Sequence, residues 1–352
     1  MAAGRRVLII GPSWVGDMVM AHSLVQVLGE RHPGAVIDVL APAWSGPLLA
    51  RMPGVRRAID MPVGHGRVAI GARWRLGRSL AGQYDQAIVL PNSLKSALIP
   101  LFARIPVRTG WRGEMRFGLL NDIRKLDPRR YPLMVQRFNA LAFPAGFSNP
   151  VRAPFPTLKV DEAGIPALLA RFGLDSARPV LALCPGAEFG PAKRWPEGHY
   201  AAVAAALVER GWQVWVFGSA NDRAVAEALV DATGAAREHC RILAGETQLA
   251  EAIDLMSLAS AVVSNDSGLM HIAAALARPL VVLYGSTSPR FTPPLARDVA
   301  VLSIPVDCGP CFQRECPLGH LKCLVDIPPQ RILAALDDLL APPAPDSSVP
   351  SP

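Results

Sequence analysis

The chain has 352 residues, of which 51% are hydrophobic and 18% charged, and its formal net charge at pH 7 is +7. This length predicts two domains of about 150 to 180 residues each. No uninterrupted apolar run is long enough for a membrane span, and the apolar segment near the N-terminus is too short for a signal peptide. We therefore expect a cytoplasmic, soluble protein.

The charge is divided unevenly along the chain. Residues 1–150 hold 20 lysines and arginines against eight acidic residues, while residues 151–352 hold 16 against 21. A basic half attracts anionic ligands such as nucleic acid, lipid headgroups or phosphorylated sugars, although an arginine-rich composition without a ligand explains the count equally well. The arginines are dispersed and no recognition motif accompanies them, which argues against nucleic acid.

Short β-rich runs alternate with helical stretches along the whole chain. The predicted strands of the first half are 7–10, 36–41 and 87–90, and its helices lie near 17–31, 70–82 and 133–142. The predicted strands of the second half are 180–184, 213–217, 261–264 and 280–284, with helices near 197–210, 222–232, 248–259 and 268–277. This alternation predicts an α/β fold in which parallel sheets are covered by helices on both faces.

A proline-rich segment divides this series of elements into two doubly wound domains. We predict a first domain over 1–147, a linker over 148–160, a second domain over 161–341 and a disordered tail over 342–352. Two such domains face a central cleft. In open parallel sheets, ligands bind beyond the carboxyl ends of the strands, so the loops that follow strands are the candidate site.

Asp17 follows the first of these loops, GPSWVG. The simpler interpretation is that Asp17 caps the next helix, since a carboxylate accepts the free backbone N–H groups there. If it faces the cleft, the same ionised carboxylate can serve as a general base. The loop lacks the G-x-G-x-x-G pattern, which disfavours a nicotinamide-dependent oxidoreductase.

The stretch SNDSGLMHIAAAL predicts an anion site where a helix begins at Ser267 and Gly268. Asp266 suits the hydroxyls of an attached sugar, and His271 lies one turn further on. The alternative is a capping turn with His271 packed in an interface. In CPGAEFGPAKRWP, Lys193 with Arg194 can neutralise a leaving diphosphate without a metal ion, unless the pair is simply solvated.

Two further loops of the second half, FGSANDR and AGETQL, can line a nucleotide base or ribose. Their polar candidates are Ser219, Asn221, Asp222 and Thr247. Each loop is also explained as an ordinary helix start capped by Asp222 or Thr247.

In the basic half, PNSLKSAL and RTGWRGEMRFGLLND place polar and aromatic side chains near the cleft. These are Asn92, Lys95, Arg108, Trp111, Arg112 and Glu114. Trp111 can stack on a sugar ring while the cations hold anionic neighbours. The alternative is a core tryptophan with solvated arginines.

Four cysteines, Cys308, Cys311, Cys316 and Cys323, occur within CGPCFQRECPLGHLKC. In a cytosolic chain they suggest a structural zinc site more than disulfides, with His320 as a competing ligand. The spacing matches no common zinc knuckle. A zinc ion held by four thiolates has no open position for catalysis, so no catalytic metal is expected.

Taken together, these motifs resemble glycosyltransferase family 9, the ADP-heptose:lipopolysaccharide heptosyltransferases. The resemblance rests on GPSWVGDMVM, APAW, LPNSLKSAL, RTGWRGEMRFGLLND, CPGAEFGPAKRWP, FGSA, LAGETQL and NDSGLMHIAAAL, and it extends over about residues 6–340. It implies a GT-B architecture of two facing Rossmann-like domains. The first domain binds the acceptor and the second binds the nucleotide sugar.

Within the family the chain is most similar to the enzymes that transfer L-glycero-D-manno-heptose from ADP-heptose to the first heptose of the lipopolysaccharide inner core. The resemblance implies a reaction that inverts the anomeric carbon. We expect it to need no cofactor or metal and no nucleic acid, and to take place in the cytoplasm, where the protein is either free or peripheral on the inner face of the inner membrane. A sister enzyme that adds the first or a later core heptose is the alternative. A non-catalytic binder of anionic glycolipids is less well supported, because passive binding needs neither Asp17 nor Lys193.

The resemblance also implies roles for individual residues. Asp17 matches the family's catalytic base, and Lys193 matches the lysine that binds the diphosphate. The motif that holds the phosphates and heptose corresponds to Asp266, Ser267, Gly268 and His271. Thr247 falls where the family lines the adenine pocket, and Asp222 or Asn221 is the candidate for the ribose contact. The acceptor candidates are Asn92, Lys95, Trp111 and Arg112.

Overall fold

The computed structural model describes residues 4–64, 66–147, 149, 151 and 153–341. Two six-stranded sheets, each with all of its strands parallel, form the framework. The strand order is β3-β2-β1-β4-β5-β6 in the N-terminal sheet and β12-β11-β10-β7-β8-β9 in the C-terminal sheet. The predicted α/β class with parallel sheets is confirmed.

The elements of the N-terminal half are strands and helices in alternation. Its strands are β1 Arg6–Ile10, β2 Val36–Ala41, β3 Val55–Asp60, β4 Gln86–Val89, β5 Val107–Trp111 and β6 Asp122–Arg124. Its helices are α1 Val15–Arg31, α2 Gly46–Ala50, α3 Ile70–Ser79, α4 Leu98–Phe102 and α5 Met134–Ala140.

The C-terminal half repeats this plan. Its strands are β7 Val180–Cys184, β8 Gln213–Val216, β9 Cys240–Ile242, β10 Ala261–Asn265, β11 Leu280–Leu283 and β12 Val299–Leu302. Its helices are α6 Ile165–Phe172, α7 Glu197–Glu209, α8 Arg223–Asp231, α9 Leu249–Met256, α10 Gly268–Ala275, α11 Lys322–Val325 and α12 Pro329–Leu340.

Helices cover both faces of the N-terminal sheet because its central strands are apolar on both. Val7 and Ile9 of β1 belong to the same core as the buried residues of α1. Leu8 and Ile10 belong to a second core with Ile99 of α4. A strand buried on both faces has a continuous apolar sequence, which is why VLII at 7–10 predicts β1.

Helix α1 is buried along most of its length, from Met18 to Leu28. It packs against both α5 and α10, so its surroundings are protein on more than one side. The apolar core that contains α1 continues into α9 and α10 of the C-terminal half. The two halves therefore share one hydrophobic core along α1.

The segment 153–161 connects the halves and is hydrogen-bonded to both of them. The carbonyl of Phe155 accepts a bond from Gln26 at 3.0 Å, and the backbone N–H of Thr157 donates to His22 at 3.0 Å. The backbone N–H of Leu158 donates to the carbonyl of Ala275 at 3.2 Å. This segment includes residues 153–160 of the predicted linker, whose exact boundaries stay a prediction.

An ion pair lies beside the same segment. Arg51 of the N-terminal half pairs with Asp254 of α9 at 2.5 Å, and Asp254 also accepts the backbone N–H of Asp161 at 2.9 Å. The predicted tail 342–352 lies outside the described residues. No helix among the described residues is long and apolar enough to cross a bilayer.

Candidate functional site

The N-terminal ends of α1 and α10 meet between the two halves, and two glycines permit this contact. A Cβ on Gly16 would lie 2.6 Å from the ring of His271, and a Cβ on Gly268 would lie 2.7 Å from the Cβ of Val15. Real side-chain atoms do not approach so closely. The glycines at 16 and 268 therefore set the distance between the helix that carries Asp17 and the loop that carries Asp266.

Asp17 is the third residue of α1, and the helix begins at Val15 with Trp14 at its N-cap. The capping interpretation of Asp17 is therefore wrong. Burial raises the pKa of Asp17 from 3.8 to about 6, opposed by the positive charge of Lys193 and supported by the negative charge of Asp266. Among the described residues, none donates a hydrogen bond to this carboxylate. Both carboxylate oxygens of Asp17 are therefore available to accept a proton.

Lys193 reaches the same junction from the loop after β7. Its Nζ lies 2.6 Å from Oδ2 of Asp266 and 3.3 Å from the backbone oxygen of that residue. The hydroxyl of Thr287 donates to the same Oδ2 at 2.5 Å. Lys193 also lies 5.0 Å from the ring centre of Phe189. The ammonium group is thereby fixed in position by a buried carboxylate.

Thr287 was not among the predicted site residues. It follows β11 in the stretch GSTSPR, so the rule that ligands bind beyond strand ends contained the signal. The stretch carries no glycine pattern or charge cluster of its own, and its contact with Asp266 became visible only in the structure.

Helix α10 begins at Gly268 with Ser267 at its N-cap, as predicted. The Ser267 side chain forms no cap bond to α10, and its Oγ lies 3.3 Å from Oγ of Ser264. His271 is 4% exposed, and burial lowers its pKa to about 4, so its imidazole is neutral at pH 7. The structure places His271 in the α1–α10 interface. This corresponds to the alternative given from sequence, and a ligand contact for His271 stays a prediction.

Asp222 forms the helix-start contact that the sequence allowed. Its Oδ2 accepts bonds from the backbone N–H and the hydroxyl of Ser219 at 2.9 and 2.8 Å. Its other oxygen, Oδ1, is buried without a hydrogen-bond partner and lies 3.7 Å from Arg194. A Cβ on Gly186 would lie 2.3 Å from the Asp222 carboxyl carbon. Asp222 therefore joins the loops after β7 and β8, and its contact with a ribose stays a prediction.

Thr247 lies before α9 but does not cap it. The N-cap of α9 is Gln248, whose backbone N–H donates to Glu251 at 2.8 Å. The capping interpretation of Thr247 is therefore wrong, and its hydroxyl lies 3.4 Å from the carbonyl of Leu243. Half-buried in the loop beyond β9, Thr247 occupies a position from which a nucleotide can be contacted.

On the N-terminal side, Asn92, Lys95 and Arg112 lie in the loops after β4 and β5. Arg112 is exposed, with its guanidinium 5.7 Å from the ring centre of Phe117. The Glu114 carboxylate accepts the backbone N–H of Leu94 at 2.7 Å, which joins the two loops. Arg108 instead bonds the carbonyls of Leu119 and Ile105, each at 2.7 Å, so its role is structural.

Arg116 fixes these loops from below and was not recognised from the sequence. Although charged, it is 0% exposed. Its guanidinium donates to the carbonyl of Pro91 at 2.6 Å and to Oδ1 of Asn92 at 3.2 Å, and it also bonds the carbonyl of Trp111. Arginine is the most common residue in this half, so no sequence signal separated Arg116 from its exposed neighbours.

The prediction that Trp111 stacks on a sugar is wrong. Trp111 is 6% exposed and belongs to the hydrophobic core shared by the two halves. Its indole N–H donates to the carbonyl of Arg137 at 2.9 Å, and its ring centre lies 5.8 Å from that of Tyr131. Because the ring is buried in this core and its N–H is bonded to the protein, Trp111 supports the loop instead of contacting a ligand.

Four of the six cysteines of the C-terminal half, Cys308, Cys311, Cys316 and Cys323, are free thiols that line a common pocket with His320. Their proximity raises the pKa of Cys323, although burial contributes more. Backbone N–H groups of residues 318–321 lower the pKa of Cys316. No three His, Cys, Asp or Glu side chains in the described ranges are arranged to hold a metal ion. The arrangement does not support the suggested zinc site.

A comparison with protein families matches residues 73–322 to glycosyltransferase family 9 (heptosyltransferase). The chain is 52% identical to lipopolysaccharide heptosyltransferase 2 of Salmonella typhimurium, covering 96% of this chain and 99% of that protein. It is 51% identical to lipooligosaccharide heptosyltransferase 2 of Haemophilus influenzae, with 95% and 99% covered.

The fold is also similar to a solved structure, that of E. coli ADP-heptose LPS heptosyltransferase II. The TM-score is 0.85 at 50% sequence identity, and the match covers 95% of this chain and 98% of that one. The expectation of a GT-B architecture with two Rossmann-like sheets is confirmed.

Proposed function

The chain belongs to glycosyltransferase family 9, the heptosyltransferases, and on this basis we propose that it transfers L-glycero-D-manno-heptose from ADP-heptose to the first heptose of the lipopolysaccharide inner core. The observation that carries the proposal is sequence identity: over nearly the full length, about half of all positions are identical to those of proteins named heptosyltransferase 2. The meeting of Asp17 with the Lys193–Asp266 pair supports it chemically.

Asp17 is proposed as the general base. The acceptor hydroxyl loses its proton to the Asp17 carboxylate as its oxygen attacks the anomeric carbon of the donor. With a pKa of about 6, Asp17 is mostly ionised at neutral pH and is a stronger base than an exposed aspartate. Attack on the face opposite the leaving diphosphate inverts the anomeric centre.

Lys193 and the N-terminus of α10 are proposed to stabilise the departing ADP. Negative charge develops on the diphosphate in the transition state, and a fixed cation beside free backbone N–H groups complements it. Because Asp266, which is itself bonded to Thr287, already holds the Lys193 side chain in place, little reorganisation is needed when the donor binds. These groups can supply the electrostatic stabilisation themselves, so we propose a reaction that needs neither metal nor cofactor.

The remaining predicted residues are assigned to the two substrates. On the donor side they are Thr247 for the adenine, Asp222 for the ribose, and Asp266, Ser267, Gly268 and His271 for the phosphates and heptose. On the acceptor side we retain Asn92, Lys95 and Arg112, which the structure leaves exposed or half-buried in the loops after β4 and β5. The acceptor is anchored in lipid, so we place the reaction in the cytoplasm, at the inner face of the inner membrane.

The experiment that tests this function offers the purified protein ADP-heptose and three deacylated acceptors, which carry Kdo alone, Kdo with one heptose, and Kdo with two heptoses. ADP release and product mass are followed with and without EDTA. We expect transfer only to the acceptor that carries one heptose, at a rate unaffected by EDTA. Transfer to Kdo alone would instead identify a sister enzyme, and binding of the acceptor without ADP release would identify a non-catalytic protein.

A further inference from the structure

The large apolar side chains that the N-terminal half exposes are concentrated at one edge of its sheet. Among the described residues up to 147 they are Trp14, Trp44, Val68, Ile70, Trp74, Met115 and Phe117. Five of them lie in the segments that follow the carboxyl ends of β1, β2, β3 and β5, while Ile70 begins α3 and Trp74 lies one turn along that helix. Because the six strands are parallel, these ends share one edge, which is also the edge that carries the acceptor loops. Isolated apolar side chains scattered over a surface need no explanation, but a common edge does.

Helix α3 contributes both exposed apolar side chains and arginines to this surface. Ile70 and Trp74 are 60% and 51% exposed and lie four residues apart, on one face of the helix. Arg75 and Arg78 are exposed beside them. The other side of α3 packs closely on α4, since a Cβ on Gly77 would lie 2.5 Å from Phe102. We call Ile70, Trp74, Arg75 and Arg78 the amphipathic face of α3.

The segment that leads into α3 is held rigidly against it. Arg73 is 4% exposed, and its guanidinium donates to the carbonyls of Val68 and Arg67 at 2.6 and 3.4 Å. Leu119, beyond the exposed Met115 and Phe117, packs into the same core as Leu76 of α3. The exposed residues of both segments therefore attach to one face of the sheet.

We propose that the amphipathic face of α3, together with Met115 and Phe117, docks on an anionic lipid bilayer. Tryptophan and arginine on one side of a helix are the residues that bind at the boundary between headgroups and acyl chains. Residues 61–84 contain four arginines and no acidic residue, and residues 1–150 hold 20 basic against eight acidic residues. Anionic headgroups complement this uniform positive charge, whereas a protein partner usually meets charges of both signs.

Docking in this orientation directs the acceptor loops towards the lipid surface. Only this step rests on the proposed function, because a lipid-anchored acceptor reaches Asn92 and Lys95 most directly if their edge of the sheet faces the bilayer. The surface thus defines how a chain without a spanning helix among its described residues meets a membrane-bound substrate.

The test measures sedimentation of the full chain with phosphatidylcholine vesicles that contain or lack phosphatidylglycerol. We expect binding only to the anionic vesicles, weakened at high salt. The pair of changes Ile70→Ser and Trp74→Ser should lower the partition coefficient about tenfold or more. The pair Arg75→Gln and Arg78→Gln should lower it about fivefold for each charge at low salt. The matched control, Val301→Ser with Leu340→Ser, removes exposed apolar side chains of the C-terminal half and should leave binding unchanged.

Equal binding to both kinds of vesicle, or equal loss in the control, would overturn the proposal. So would a change of molecular mass without lipid in the Ile70 and Trp74 variant, since the face would then join two copies of the chain. Transfer to a deacylated acceptor is measured in parallel and should be unchanged in that variant. Loss of this transfer in the variant would assign the face to acceptor binding and overturn the docking proposal. A wild-type chain that binds vesicles but transfers no heptose would contradict only the proposed function.

Discussion

Asp17 and Lys193 are oppositely charged groups on the two sides of the α1–α10 junction, and the protein treats them differently. Lys193 is held by Asp266, which is itself bonded to Thr287. Asp17 is largely buried, and none of the described residues donates a hydrogen bond to its carboxylate. Burial therefore raises its pKa to about 6. A group that must only attract charge gains from being fixed. A group that must accept a proton gains from being left unsatisfied, because hydrogen bonds to the carboxylate would make it a weaker base.

The first prediction tests the unsatisfied side of this comparison. Asp17→Asn removes the proton acceptor and should lower kcat about a thousandfold, while the Kd for ADP-heptose changes little. Turnover and calorimetric donor binding measure the two effects. Asp60→Asn, at the end of β3, is the matched control and should retain full turnover. Wild-type turnover in Asp17→Asn would remove this residue from the mechanism.

The same substitution should stabilise the fold. Burial raises the pKa of Asp17 from 3.8 to about 6, so the loss of stability caused by its ionisation develops between these two pH values and is fully present above pH 6. Replacing the carboxylate by a neutral amide should therefore raise the free energy of unfolding at pH 7, by about 2 kcal/mol. Urea unfolding of both proteins checks the sign, and a destabilised Asp17→Asn protein would contradict the assignment of burial as the dominant cause.

The second prediction addresses the fixed side. Lys193→Met should lower kcat about a hundredfold and weaken donor binding, because the diphosphate loses its cation. It also leaves the buried Asp266 carboxylate unpaired, which should lower the free energy of unfolding by about 3 kcal/mol. Adding Asp266→Asn to this variant should restore part of the stability but not the turnover. Recovery of both would reduce Lys193 to a structural role, and Lys159→Ala serves as the surface control.

The third prediction concerns how kcat/KM depends on pH, which follows from the raised pKa of Asp17. Since Asp17 must be ionised to accept a proton and its pKa is about 6, kcat/KM should fall as the pH drops through 6. Between pH 7 and pH 5 the loss should be about tenfold. The profile is recorded with a deacylated acceptor, so that the charge of a lipid surface does not contribute. A rate that is constant over this range would require a different base.

The fourth prediction concerns Arg116, the buried cation beneath the acceptor loops. Arg116→Lys keeps the charge but cannot reach the carbonyls of Pro91 and Trp111 and the amide of Asn92 together. We expect KM for the acceptor to rise about tenfold, with donor affinity unchanged. Steady-state kinetics separates the two constants. Arg129→Lys, in the exposed loop before α5, is the control, and an equal rise in both KM values would indicate general loosening of the fold.

The smallest predicted effect distinguishes two glycines of α1. A Cβ added to Gly29 would meet no atom within 4 Å, so Gly29→Ala should raise the free energy of unfolding by about 0.8 kcal/mol. Gly16→Ala would place its methyl group 2.6 Å from His271 and must displace α1 from α10. We expect a severalfold loss of kcat in Gly16→Ala and none in Gly29→Ala. Equal kinetics for the two variants would mean that the spacing of the helices does not affect the reaction.

The sequence predicted the interior of both sheets better than their margins. All seven predicted strands are interior strands, namely β1, β2, β4, β7, β8, β10 and β11. The edge strands β3, β6, β9 and β12 and the interior strand β5 were not predicted. A strand that is covered on both faces is apolar at most positions, whereas VRRAID of β3 is half-exposed and carries three charges. The apolar pattern of the sequence therefore identified strands that are buried on both faces, and it missed strands that are partly exposed.

The candidate site shows a similar limit. Motif position and family resemblance identified Asp17, Lys193 and Asp266, which the structure brings to one junction. They did not identify that Trp111 is part of the core or that Arg116 is buried, because an arginine-rich sequence does not indicate which cations are solvated. The side-chain partners of a charge depend on elements far apart in the chain, and no local pattern encodes them.

The contacts of segment 153–161 restrict how the two sheets can move. Phe155 and Thr157 are bonded to α1, Leu158 is bonded to the end of α10, and Arg51 bridges to Asp254 beside them. A motion that admits the donor can follow one of two paths. It either breaks all of these bonds, or it rotates one sheet relative to the other about an axis through this segment. Rotation preserves them and widens the opposite side of the molecule most. Substrate exchange is therefore expected to follow a pivoting path, not a separation of the halves.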